Sequence, residues 1–333
     1  MPPLLAGLLP PLLIAWRNAR FGPGAPAGPF AGTVRGGSFE GMDAVEWSER
    51  PQLRRPVAVV AFEGWNDAGD AASLAVSYLA QTWEAKEFAT IDPEEFFDFT
   101  ETRPQVKIVD GTTRALEWPT TDLLHAQVPG TERDVVFLRG VEPQLRWRTF
   151  SRAIVEILQE VGVETVVILG ALLADVPHTR PVRVSGSTED TELAGRLGVL
   201  SNTYEGPTGI VGVLHEAFQS AGMSTASFWA AVPHYVHQVP SPKAALALVE
   251  RSAGVLGARV NPLELRVAAE EYERQVSERV ADDEDAAAYV AQLEEADDTD
   301  RLDTDPAPSP LPADAGALAE EVEQFLRNHG EQD

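Results

Sequence analysis

The sequence predicts an α/β fold of three layers, α/β/α, with a mainly parallel central sheet and a set of C-terminal helices. Three observations predict it. Four apolar runs have the length and the Val and Ile content of strands buried on both faces. Helical patterns with apolar residues three and four apart lie between them, and strands alternating with helices imply βαβ crossovers that cover both faces of a sheet. The chain has 333 residues and 44% hydrophobic side chains, enough for one large α/β domain with appendages.

Taken in order, residues 1–41 read as a disordered extension, because 22–41 are rich in Gly, Pro and Ala. The apolar start, MPPLLAGLLPPLLIAW, has no basic residue ahead of it and is interrupted by Pro2, Pro3, Pro10 and Pro11. Those flanks argue against a signal peptide, and the stretch is too short and Pro-rich for a membrane span. Met42 stands just before the first foldable sequence, as an alternative start would.

Residues 57–62, VAVVAF, are the first buried strand, and EGWNDAG then breaks the run ahead of a helix marked by Leu74, Tyr78 and Leu79. Polar groups at the carboxyl end of a central strand lie where open α/β sheets place ligand and partner sites. Residues 88–130 mix aromatics, Thr, Pro and Gly in short alternating pieces such as 106–109 and 114–118, which predict a β insertion or sheet extension. The remaining buried strands are expected at 134–139, 165–170 and 225–232. Trp147, Phe150, Ile154, Leu158 and Val161 form a helical stripe before the third strand, and Val211, Leu214 and Phe218 another before the fourth. We expect the main domain to span 42–262, followed by a charged helix 263–296 and an acidic linker 297–313. A short amphipathic helix should follow in 314–333, with Leu318, Val322, Phe325 and Leu326 on one face.

Composition excludes several functions. There is no cysteine, which rules out disulfides, Cys-ligated metals and thiol catalysis, and is compatible with a cytoplasmic location. A net charge of −26 argues against nucleic acid, whose phosphates need clustered Lys and Arg. Residues 263–333 alone carry 22 acidic and 5 basic side chains, so the acidity belongs mainly to the C-terminal segment. No membrane partner is expected.

Candidate site residues fall on four loops. Glu63, Trp65, Asn66 and Asp67 stand at a helix start. There Asn66 or Asp67 would cap the helix and Trp65 would pack, or the carboxylates would hold a polar ligand. Neither a P-loop nor a dinucleotide fingerprint is present. Asp175, His178 and Arg180 follow the third strand within six residues. That set suits acid–base chemistry or anion binding, and equally a proline-organised loop in which Asp175 pairs with Arg180. No Gly-x-Ser-x-Gly elbow supplies a nucleophile. Tyr204 to Gly209, with Thr208, reads as a turn into a helix whose N–H groups could receive an anion. His234 and His237 are spaced as metal ligands can be, yet prolines at 233 and 240 and the lack of a Glu or Asp within this short segment point to loop or subunit contacts. We expect no metal and no cofactor, and a binding protein more than an enzyme.

Four pieces carry a resemblance: residues 56–69 (PVAVVAFEGWNDAG), 138–143 (LRGVEP) with Trp147 and Phe150 after it, 170–180 (GALLADVPHTR) and 204–210 (YEGPTGI). With them the chain resembles the proteasome assembly chaperone 2 family, in its actinobacterial branch, over about residues 43–275. The resemblance implies a domain related to the purine nucleoside phosphorylase-like fold, self-association into a homo-oligomer such as a trimer, and a link to proteasome subunits. It also adds Glu142, in the second piece, to the candidate binding residues. Some relatives dock through a C-terminal hydrophobic-Tyr-any motif; this chain ends RNHGEQD, which argues against docking by that route. The alternative expectation is a small-molecule-binding protein or enzyme using a phosphorylase-like crevice.

Overall fold

The computed structural model describes residues 44–109, 112–199 and 204–303. The expected extension at 1–41, the linker beyond 303 and the apolar stripe from Leu318 to Leu326 lie outside them.

The four apolar runs form the parallel centre of an eight-stranded sheet: β2 (Val57–Glu63), β7 (Asp134–Val141), β8 (Thr165–Ala174) and β10 (Ser224–Pro233). Their register places Val57 beside both Val135 and Thr165, and Thr165 beside Ser224. Antiparallel strands extend this centre on both sides. β1 (Val45–Trp47), β3 (Lys86–Ile91) and β6 (Thr121–Gln127) continue it past β7, and β9 (Val184–Thr188) pairs with β10, giving the order β1-β3-β6-β7-β2-β8-β10-β9. The 88–130 region is therefore both things its sequence suggested. β3 and β6 extend the sheet, while β4 (Gln105–Val109) and β5 (Thr113–Glu117) form a separate two-stranded hairpin.

Helices cover both faces. Along β2, Val57, Val59 and Ala61 point into one layer with α1 (Ala71–Thr82) and α5 (Pro242–Leu256). Ala58, Val60 and Phe62 point into the other, against Phe150 and Ile154 of α2 (Trp147–Glu160) and Leu214 and Phe218 of α4 (Ile210–Ser220). A period of two thus feeds two cores from one strand, which is why the run contains no polar residue.

The C-terminal region departs from the single helix expected over 263–296. It is a helical pair, α6 (Leu263–Ala281) and α7 (Glu284–Asp303). The break falls at Asp282 and Asp283, where the Asp283 carboxylate accepts the N–H groups of Asp285 and Ala286 at 3.0 Å and starts a new helix. The expected linker is helical as far as Asp303, and Asp297 within it is buried against Arg183 instead of being solvated. The apolar pattern did not anticipate the short helix α3 (Thr191–Leu197) or α5. For α5 the signal was present: Ser241 caps, Pro242 opens the helix and the left-handed Gly257 closes it.

Candidate functional site

The carboxyl ends of β2, β7, β8 and β10 share one edge of the sheet, and the candidate residues divide between its two halves.

The first half is built on the loop after β2. Glu63 ends the strand and its carbonyl accepts the Glu142 N–H at 2.8 Å. Gly64, at φ 124°, turns the chain in a conformation that side chains rarely adopt. Asn66 and Asp67 are buried, and the Asn66 carbonyl accepts the Ala171 N–H at 2.9 Å, tying the loop to β8. Asp70 stands at the cap position of α1 without a side-chain cap bond, and Asp67 fills that role from three residues ahead: its Oδ1 accepts the N–H groups of Ala72 at 2.7 Å and Ser73 at 3.3 Å. Burial pushes its carboxyl up to about 7; the Ser73 hydroxyl and the capped N–H groups oppose this, and the charge of Asp70 adds to it. Trp65 does not pack as its structural reading required. It is 64% exposed, because the loop turns its neighbours Asn66 and Asp67 inward and leaves the indole outside.

Glu142 joins this loop to α4. Its Oε1 accepts the Ile210 N–H at 2.7 Å and its Oε2 accepts the Trp65 N–H at 3.4 Å. A Cβ on Gly209 would stand 2.5 Å from that Oε1 and 2.7 Å from the Asn66 amide, so a larger residue there would push these two side chains out of their present positions. The α4 N-terminus, which could have received an anion, is therefore taken by a carboxylate of the chain itself. Tyr204 donates to the Pro207 carbonyl at 3.0 Å, holding the turn, and both Tyr204 and Thr208 are exposed at its surface.

The second half is covered. α7 lies over the loop after β8, and Arg180 reaches it with two bonds to Asp298, at 2.9 and 2.8 Å, and a third to Glu294 at 3.5 Å. Arg183 meets Asp297 at 2.5 Å, and Thr179 donates to Glu294. Asp175 does not pair with Arg180. It stands 3.1 Å from His234 Nδ1, off the line of a hydrogen bond, and accepts from Tyr289 of α7 at 3.3 Å. His178 is buried between the elements. Its N–H donates to the Tyr235 hydroxyl at 2.8 Å, which leaves that hydroxyl to donate to Nδ1 at 2.9 Å, and Nε2 then donates to Ser277 of α6 at 3.0 Å. Burial, then the Lys243 charge, bring its pKa down to about 4, so the ring is neutral and structural. A cavity of about 20 Å³ beside His178, Arg183, Tyr272 and Asp297 has room for one water and no substrate.

The structure thus brings Glu63, Trp65, Asn66, Asp67, Glu142, Tyr204 and Thr208 together at one half, and Asp175, His178, Arg180 and His234 at the other. Sequence reasoning missed Tyr235, Lys243, Tyr289, Glu294 and Asp298, which organise the second half. Tyr235 sits inside the His234–His237 motif and could have been read from it; the α7 carboxylates carry no local signal.

Exposed apolar side chains mark the open half. Among the described residues nine large ones are exposed, and seven of these (Trp65, Val106, Ile108, Leu116, Trp118, Leu145 and Tyr204) belong to loops or the hairpin at this edge. The hairpin is among them because Ile91, Thr121 and Gly140 are register neighbours, so the 92–120 insertion leaves the sheet where β7 ends. Aromatic and apolar groups gathered in this way mark protein-binding surfaces.

Comparison with known proteins agrees with this architecture. The PAC2 family model matches residues 61–280. A PAC2 family protein of Streptomyces avermitilis is 49% identical, with a TM-score of 0.66, over 71% of this chain and 99% of its own. A proteasome-assembly chaperone homologue of Mycobacterium tuberculosis is also 49% identical, with a TM-score of 0.65, over 70% of this chain and 99% of its own. An archaeal proteasome activator of Pyrococcus furiosus shares the fold at 19% identity and a TM-score of 0.58, over 70% of this chain and 97% of its own. No curated protein matches. Among the described residues no helix is long and apolar enough to cross a membrane.

Proposed function

This chain belongs to the PAC2 family, and from that premise we propose that it is a non-catalytic, homo-oligomeric binding protein of the cytoplasm that assists proteasome assembly. One observation carries the reading. At the edge where an α/β enzyme would hold substrate, the chain turns its polar groups on itself: Asp67 caps α1, Glu142 caps α4, and α7 occupies Arg180 and Arg183. What it presents outward is apolar and aromatic, in Trp65, Tyr204, Leu145 and Trp118. A surface of that kind excludes water against a partner protein and does not polarise a small molecule. The 49% identity to a proteasome-assembly chaperone homologue supports proteasome subunits as that partner.

The test is assembly of purified proteasome subunits with and without the protein, together with co-purification from the native cell. We expect a stable complex, faster ring formation, and loss of both in Trp65→Ala/Tyr204→Ala. Unchanged assembly with no co-purifying complex would remove the idea. A second reading, a small-molecule-binding protein or enzyme, is favoured by one observation only: the buried Asp67 carboxyl, with its pKa held near neutrality beside Asn66. A thermal-shift screen of nucleosides, phosphate and amino acids checks it, and stabilisation by none of them counts against it.

A further inference from the structure

The β4–β5 hairpin is a two-stranded sheet of its own, outside the main sheet, and such a ribbon is marginal in water unless something packs on it. Residues directly opposite across an antiparallel pair share a face, so Val106 with Leu116 and Ile108 with Arg114 stand on the same side. Trp118, one residue past β5, is turned edge-on to Phe99 at 4.8 Å between ring centroids, so the free strip ends at Leu116. Val106, Ile108 and Leu116 are each more than half exposed. Arg114 is exposed at the end of this strip and has no ion-pair partner among the described residues, whereas Lys107 on the opposite face pairs with Glu117 at 2.6 Å. The outward face is therefore apolar with one unneutralised positive charge.

Among the described residues the two large exposed apolar side chains that do not lie at the carboxyl edge of the sheet are Leu263 and Val267, on α6. They are one turn apart, and Glu270 continues the same stripe at i+7, with Glu264 beside it. Glu264 and Glu270 have no ion-pair partner among the described residues, although Glu250, Glu271, Glu273 and Glu278 around them all do. This stripe is apolar with unneutralised negative charge, the complement of the hairpin face.

We propose that the hairpin of one copy docks on α6 of a second copy, with Val106, Ile108 and Leu116 against Leu263 and Val267, and Arg114 against Glu264 and Glu270. The proposal rests on the homo-oligomer reading and names its interface. The hairpin face and the α6 stripe are different patches, so a contact between them repeats around a ring, doubles about a two-fold axis, or propagates. The charge pairing also answers a general difficulty for this chain: at −26, copies repel unless a basic group meets an acidic surface.

The absence of cysteine makes the test direct. Ile108→Cys/Val267→Cys is treated with a short bis-maleimide, and each single variant is treated in parallel. Both side chains are about half exposed or more, so the substitutions leave the fold intact. We expect covalent multimers from the double variant and none from either single variant. Light scattering of Arg114→Glu should show dissociation at about tenfold higher concentration, and Arg114→Glu/Glu270→Arg should restore the natural value. An oligomer of unchanged size in Arg114→Glu, with no cross-linking in the double variant, overturns this interface and leaves the oligomer reading standing. Cross-linking of Ile108→Cys alone overturns it in favour of a hairpin-on-hairpin contact. A natural chain that is monomeric at every concentration overturns the oligomer reading itself.

Discussion

Replacing Asp67 by Asn should change the pH dependence of stability in a way that isolates one buried carboxyl. The group is 5% exposed, and its pKa is about 7 in the folded chain against 3.8 when unperturbed. Between those values the folded state holds a proton that the unfolded state has lost, so stability falls as pH rises. Integrated over that interval, the loss is about 4 kcal/mol between pH 4 and pH 8. Asn keeps an oxygen for the Ala72 N–H, does not titrate, and gives up part of the cap, about 1 kcal/mol. The variant should therefore be slightly less stable than the natural chain at pH 4 and about 3 kcal/mol more stable at pH 8, with the curves crossing near pH 5. Urea unfolding of both chains at fixed protein concentration, from pH 4 to pH 8, measures this. His178 acts in the opposite direction. Its pKa is depressed from 6.5 to about 4, so the unfolded state takes up a proton first as pH falls, and stability rises with pH between those values. Both chains contain His178, so it cancels in the difference. A difference that stays flat across the range would mean Asp67 is ionised throughout, and the reasoning from burial would be wrong.

Arg183→Ala removes the 2.5 Å ion-pair contact to the buried Asp297 carboxylate; we expect a loss of about 2 kcal/mol, read as faster hydrogen exchange in α7 with unchanged exchange in β2. Gly209→Ala drives a Cβ into the Glu142 carboxylate and the Asn66 amide and should destabilise by about 2 kcal/mol, with a smaller loss in a Glu142→Ala background, as a double-mutant cycle on urea midpoints would record. Trp65→Ala should change stability by less than about 0.5 kcal/mol in the same assay, because the indole is mostly in water, which separates its part in partner binding from any part in folding.

The strands at the centre of the sheet were legible because burial on both faces is written locally: VAVVAF alone feeds two cores, and no distant residue is needed to see it. The stripe of α2 was legible for the same reason, and so was the cap at Asp67, whose partners lie five and six residues on. The division of the candidate site was not. Arg180 finds Asp298 at a separation of 118 residues, and His178 finds Ser277 at 99, so nothing in the GALLADVPHTR motif distinguishes a covered loop from an open one. Trp65 reads as a packing residue until the loop around it is closed by Glu142, 77 positions away. By itself the sequence determined the layers, the buried strands and the family resemblance, all properties of short-range apolar periodicity and local motifs. Only the tertiary structure decided which polar groups are taken up inside the chain and which apolar ones face water, because charge pairing and exposure depend on segments that meet across the fold.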